Sequence, residues 1–330
     1  GKMPFVPDRG RATEVFTDLA GKWSDDSLAF QHLVPPERAY LPDSVQVGSL
    51  EHAWWLFFTG WLSRQGYSAD QVFTGAQYIF NEYGTELVDP GLVASLKVKD
   101  YDDIKMIVPY GEKEPERVEV WWRGCLEMLR DRYLGDPRNI MLTLDFKQPI
   151  IEIRSALLHR FENFYGIGHK IAQLTIGWFQ EAKWTQDLVL WEDVRRIPVV
   201  AIDLWWMRLA YQFGLVNSYT SDITTKISRP LSDFVSVVCC ESGINHNHLA
   251  QAVWHIGKHH CNLARHRWAN RKPYRQTCVS CPACEHCRGI VPANSHRDPD
   301  SGKKVVHAGI GWGEFQPHLA DESVNLVLRY

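Results

Sequence analysis

Apolar residues recur every three or four positions over long stretches of this chain, the period of a helix with one buried face. In "PIIEIRSALLHRFENF" the apolar set is Ile150, Ile153, Leu157, Phe161 and Phe164, and after two glycines Ile171, Leu174 and Trp178 repeat the spacing. The same reading predicts helices in "LEHAWWLFFTGWLSRQ" and "ADQVFTGAQYIFNEY", split by Gly66, and in "ERVEVWWRGCLEMLRDRYL". A further helix follows the break "VRRIPVVAI", in "DLWWMRLAYQFGLV", and another covers roughly 246–260. Residues 84–116 mix Gly, Pro and charge and read as loop. The tail beyond Cys287 is rich in Gly, Pro and Asp, with short strands expected in "KVVHAGIGW" and "VNLVLRY". Helical segments dominate, so the predicted fold is all-α.

Composition changes this picture little. The 330 residues carry a formal charge of -3, which points to no partner, and are enough for one large domain or two smaller ones. The longest apolar run, "AWWLFFTGWL", is too short to span a bilayer and reads as a buried helix. No signal-peptide-like run opens the chain, so a cytoplasmic protein is expected. Fourteen tryptophans suit either a core or a stacking surface. The pairs at 54/55, 121/122 and 205/206 are the candidates for stacking, with the core the expected place for most of them.

Chemistry begins at "FYGIGHKIAQL". A helix, then Gly166-Ile167-Gly168, then a helix is a tight hairpin in which glycine permits a positive φ or a close backbone approach. The second helix starts near His169, and its unpaired N–H groups form a ready anion site. A dinucleotide-binding loop needs a preceding strand and a third glycine, but a helix precedes and Ile171 stands at the third position. A plain helical turn and a nucleic-acid contact both fit these residues.

"GIGHKIA" resembles the helix-hairpin-helix of the endonuclease III superfamily of DNA base-excision glycosylases, which runs Gly-hydrophobic-Gly-x-Lys-x-Ala in members that also cut the backbone. The resemblance places Lys170 on their Schiff-base lysine and assigns Gly166, Gly168 and His169 to DNA contact. It also implies a catalytic aspartate downstream, for which "VVAIDLWWMRLAYQFGLV" supplies Asp203. Cleavage of an N-glycosidic bond builds positive charge on the sugar, and a nearby carboxylate stabilises it. Asp203 is equally an N-cap for the helix at Leu204, and the two roles are compatible. Two departures stand out: "EAKWTQDLVLWED" is an insertion, and Trp205 replaces a histidine many members carry.

Five of the eight cysteines, Cys261, Cys278, Cys281, Cys284 and Cys287, fall close together, which in a reducing compartment suggests a metal. Four of them at steps of three could chelate zinc, although zinc knuckles are usually separated by a longer loop. The family closes with Cys-x6-Cys-x2-Cys-x5-Cys, which holds a [4Fe-4S] cluster. Cys278, Cys281 and Cys287 match its last three ligands and Cys261 in "HIGKHHC" is nominated as the first, leaving Cys284 surplus. Arg265, Arg267, Arg271, Lys272 and Arg275 lie between Cys261 and Cys278 with no acidic residue, so this segment is expected to contact phosphates. "WLSRQGYSAD" is similar to the family's Leu-Ser-x-Gln segment, which makes Gln65 the residue that fills the gap left by a flipped base.

The resemblance spans roughly residues 150–290. It implies two lobes with a DNA cleft between them: residues 51–175 as a helical bundle, and 176–288 as the Asp203 helix and cluster lobe, on which residues 1–50 pack. Residues 289–330 are an extension without an assigned role. The expected protein is a monomer acting on double-stranded DNA. Hydrolysis of a free modified nucleoside or nucleotide, DNA binding without catalysis, and removal of an enzymatically modified base are the other readings.

Overall fold

The computed structural model describes residues 6–25, 30, 33–64, 68–108, 113–181, 188–217, 225–291, 295–301 and 303–306. It is predominantly helical, as the periodicity predicts, with one two-stranded antiparallel sheet among the described residues, β1 (Ser295–Arg297) and β2 (Lys304–Val306). The second of these falls in "KVVHAGIGW", while "VNLVLRY" and Gln65 lie outside the described residues. Two compact units form, Val34–Ala201 and Gly1–Leu33 with Ile202–Tyr330, so the divisions fall at 33/34 and 201/202, not at 50/51 and 175/176.

The first unit holds α2 (Pro36–Ala39), α3 (Leu50–Leu62), α4 (Ala69–Tyr83), α5 (Asp102–Ile107), α6 (Pro115–Tyr133), α7 (Ile150–Glu162) and α8 (His169–Gln180). Their starts follow local chemistry: Ser49 caps α3, Ser68 and Gln71 form a capping box on α4, and Pro115 opens α6. Residues 84–116 are less irregular than expected, since short 3-10 turns at Pro90–Ser95 and Val98–Tyr101 precede α5. The core runs from Leu41 to Val199. Three of its tryptophans are buried with their N–H groups satisfied: Trp54 donates to Gly135 O at 2.8 Å, Trp55 to Glu37 O at 3.2 Å and Trp122 to Leu87 O at 2.7 Å. A buried indole that leaves its donor unpaired loses much of what its ring gains, which is why each finds a carbonyl.

The second unit holds α1 (Arg9–Ser24), α9 (Leu204–Gln212), α10 (Thr225–Ser242), α11 (His246–His255), α12 (Asn262–Ala269) and α13 (Arg275–Val279). Helix α1 packs on α11 and α10, and its Phe16 meets Trp206 of α9 edge-on at 5.8 Å. A π-helical turn, Ile256–Cys261, joins α11 to α12, so helix continues through residue 269 and not to about 260. The segment expected to be a basic loop is therefore helical for its first eight residues.

Candidate functional site

The hairpin is built as the glycines require. Gly166 sits at φ +76°, and a Cβ there would come 2.6 Å from Arg64 Nη2 and 2.8 Å from Trp121 Cε3. Only glycine fits both that conformation and that space. Tyr165 O accepts from Trp61 Nε1 at 2.8 Å and from Cys125 Sγ at 3.3 Å, and Ile167 is buried. These contacts pin the turn to α3 and α6. Gly168 is different. Its φ is -92°, a Cβ there would meet nothing within 4 Å, and no side chain caps the helix it opens. The backbone at the head of α8 is thus uncovered at Gly168, and half-buried Lys170 follows in the first turn.

His169 turns inward, which corrects its expected place on a DNA surface. It is buried, with Nδ1 3.0 Å from Glu162 Oε1 and Nε2 2.9 Å from Gln173 Nε2. Gln173 Oε1 already accepts from Arg154 Nη2 at 2.8 Å and Val200 N at 2.9 Å, so the Gln173 amide must donate to His169 and His169 Nδ1–H to Glu162. Arg154 Nε reaches Pro198 O at 2.8 Å. This polar chain locks α7, α8 and the 198–200 segment together. An enclosed network of this kind holds only when each member is satisfied.

Asp203 is the N-cap of α9, accepting from Trp206 N at 3.0 Å, so its carboxylate is held at a helix N-terminus as the capping reading required. Trp205 has two guanidinium groups near its ring, Arg208 Cζ at 5.2 Å and Arg265 Cζ at 5.3 Å.

The C-terminal cysteines cluster. Gln212 Nε2 donates to both Cys261 Sγ at 3.8 Å and Cys287 Sγ at 3.7 Å. Burial, and then the charges of Cys261 and Cys287, push the Cys281 thiol well up, and burial and Cys261 push Cys287 to about 12. Cys278 is raised by burial and by Cys261, Cys287 and Cys284. Cys261, Cys278, Cys281, Cys284 and Cys287 thus share one electrostatic neighbourhood. Cys284 is raised chiefly by burial, with Glu285 adding to the effect and Lys22 opposing it.

Among the described residues, the set of metal-capable side chains whose ligand atoms all lie within 4.8 Å of one another is Asp18, Glu285 and His286. The acidic trio already meets a cation, since Lys22 Nζ lies 2.9 Å from Asp18 Oδ2 and 2.7 Å from Glu285 Oε1 and donates to Pro282 O at 2.8 Å. Arg11 also donates to His286 O at 3.0 Å and Phe213 O at 3.1 Å, so α1 clamps the cysteine segment.

Arg265 is corrected as well. It is 2% exposed, donating to Val291 O at 2.9 Å and Gln212 Oε1 at 2.9 Å. One turn from Cys261 on a continuous helix, it points to the cysteine side and cannot meet solvent phosphate. Arg271 and Lys272 are exposed, and Arg267 and Arg275 are half-buried. Sequence reasoning missed Gln212 and the α1 clamp. The available signal for Gln212 was a polar residue in phase with Trp206 and Leu209 on the buried face of α9. Among the described residues no helix is long and apolar enough to cross a membrane. No model of a known protein family matches the chain, and no curated protein matches it.

Proposed function

We propose that the protein is a DNA base-excision glycosylase with an accompanying lyase activity, acting as a monomer on a nucleotide flipped out of duplex DNA. The observation that carries the reading is that two cysteines 26 positions apart in sequence, Cys261 and Cys287, are brought to the same buried amide, Gln212 Nε2, at 3.8 Å and 3.7 Å. An all-thiol donor set suits a [4Fe-4S] cluster, whose role when bound would be to hold the segment it crosslinks.

The hairpin supports the same reading. Uncovered backbone at Gly168 and the head of α8 accommodates a phosphate; in the other unit Arg267, Arg271, Lys272 and Arg275 form a basic segment suited to phosphates of its own. Asp203 stabilises the charge that develops on the sugar as the base leaves. Lys170 attacks the sugar C1′, forms a Schiff base, and elimination then breaks the strand.

Borohydride trapping on an abasic-site duplex tests the reading. The native protein forms a covalent adduct and Lys170→Ala does not, while Asp203→Asn loses base release. No adduct from protein with its metal in place removes the lyase assignment. Base release from free nucleosides without duplex binding redirects the reading to nucleotide salvage.

A further inference from the structure

Gln212 is a buried amide with both ends committed. Its nitrogen donates to Cys261 and Cys287, and its oxygen accepts from Arg265 Nη2 at 2.9 Å and Val291 N at 3.0 Å. Its backbone oxygen accepts from Arg288 N at 2.9 Å. Gln212 is fully buried and is the last residue of α9, the helix that Asp203 caps. At the other end of that helix, the Trp205 ring packs against Arg265, the same guanidinium that Gln212 accepts from. The sulphurs, Gln212, Arg265 and Trp205 are therefore one contiguous chain from the cysteine centre to the first turn behind Asp203.

We propose that Gln212 is a positioning residue joining the cysteine centre to the Asp203 helix: its two N–H···S bonds tune the bound cluster and, through Arg265 and Trp205, make the seating of that helix depend on the centre. The proposal rests on the [4Fe-4S] reading of the four cysteines.

The physics is specific. Hydrogen bonds to thiolate sulphur withdraw electron density, favour the more negative, reduced cluster, and so raise its reduction potential. Orienting groups beyond the ligands typically change metal affinity by about 10- to 100-fold. Each N–H of this amide meets a different ligand, one before α12 and one at the end of the cysteine segment, so it holds together two parts of the chain that the metal also joins.

The test uses the whole metal-loaded chain. Gln212→Met keeps the side-chain shape and removes both donors. Asn262→Leu is the control, because Asn262 is a buried amide next to Cys261 that bonds Arg297 on both its oxygen and nitrogen. It removes a structural amide beside Cys261 whose bonds go to Arg297 and leaves both Gln212–sulphur bonds in place. Potential by voltammetry, cluster loss to an iron chelator, and protease sensitivity of α9 with and without metal are read on each.

The proposal expects Gln212→Met to lower the potential and speed iron loss by about tenfold or more. It also expects the native chain to protect α9 from protease only when the metal is bound, a difference the variant loses. Asn262→Leu shifts neither potential nor that difference. An unchanged potential and iron-loss rate in a folded Gln212→Met protein overturns the proposal and leaves the cluster reading standing. Should Gln212→Met fail to fold, Gln212→Asn, with the amide withdrawn from the sulphurs by one carbon, must show the lowered potential, and an unchanged potential there overturns it. A native protein that binds zinc and no iron overturns the cluster reading and the proposal together.

Discussion

His169 and Gln173, one turn apart at the start of α8, share a 2.9 Å hydrogen bond that makes the hairpin a braced element. The bond belongs to the chain from Glu162 through His169, Gln173 and Arg154 to Pro198. His169→Phe fills the space but removes the ring acceptor of the Gln173 amide, at a cost of about 1–3 kcal/mol. Urea unfolding of the full chain measures it. An unchanged midpoint would mean that the network contributes little.

Gly166→Ala and Gly168→Ala should separate folding from binding. The first forces a side chain into a positive φ and against Arg64 and Trp121, so it should destabilise by about 1–3 kcal/mol. The second enters open space at an ordinary φ and should leave the melting temperature nearly unchanged. Any ligand whose backbone approaches Gly168 closely would then lose affinity. Equal duplex binding by native and Gly168→Ala proteins would move the contact elsewhere.

The basic segment makes a salt-dependent prediction. Each of Arg271 and Lys272 that contacts a phosphate should lower the slope of log affinity against log salt by about 0.9 when replaced by alanine. Buried Arg265 should leave that slope alone and reduce stability instead, because Gln212 Oε1 and Val291 O lose a donor. Duplex titration at several salt concentrations reads the slopes.

Iron content distinguishes the cysteines. Replacing Cys261, Cys278, Cys281 or Cys287 by serine should abolish stable iron loading. Cys284→Ser should retain it, since the Cys-x6-Cys-x2-Cys-x5-Cys resemblance leaves Cys284 surplus. Loss of iron from Cys284→Ser would place it among the ligands.

Acid should weaken both units. Burial holds His52 and His255 at about 4, with Arg38 adding to the effect on His52, while the unfolded side chains titrate near 6.5. Between those values the unfolded chain binds protons that the folded chain refuses, so stability falls as pH drops from about 6.5 to about 4. Each histidine accounts for up to about 3 kcal/mol. Denaturant midpoints at pH 7.5 and 5 test this, and His52→Gln should flatten the dependence. A flat profile in the native protein would contradict it.

The helices, the hairpin glycines and the capping role of Asp203 were legible because each is set by nearby residues: apolar period, conformational demand, a carboxylate before a helix. What escaped depends on phase and distant partners. Arg265 reads as solvated charge until α12 is seen to run on from Cys261, which puts 261, 264 and 265 on one buried face. His169 reads as a surface basic residue until Gln173 and Glu162 close on it. The strand Ser295–Arg297 carries no apolar alternation and takes its form from pairing with Lys304–Val306. Gln212 has no local signature beyond its phase, because its partners lie 49 and 75 residues away.

The π-turn at Ile256–Cys261 is a frame setter. Each residue of an α-helix advances the chain by about 100° around its axis, so one residue more or less ahead of Cys261 would swing its sulphur to another side. Helix α11 answers to α1, and Cys261 to Gln212, and a wider turn lets both phases hold in one continuous rod. A single-residue deletion within 256–260 would leave the rod helical and its composition nearly unchanged, yet point Cys261 away from its three companions.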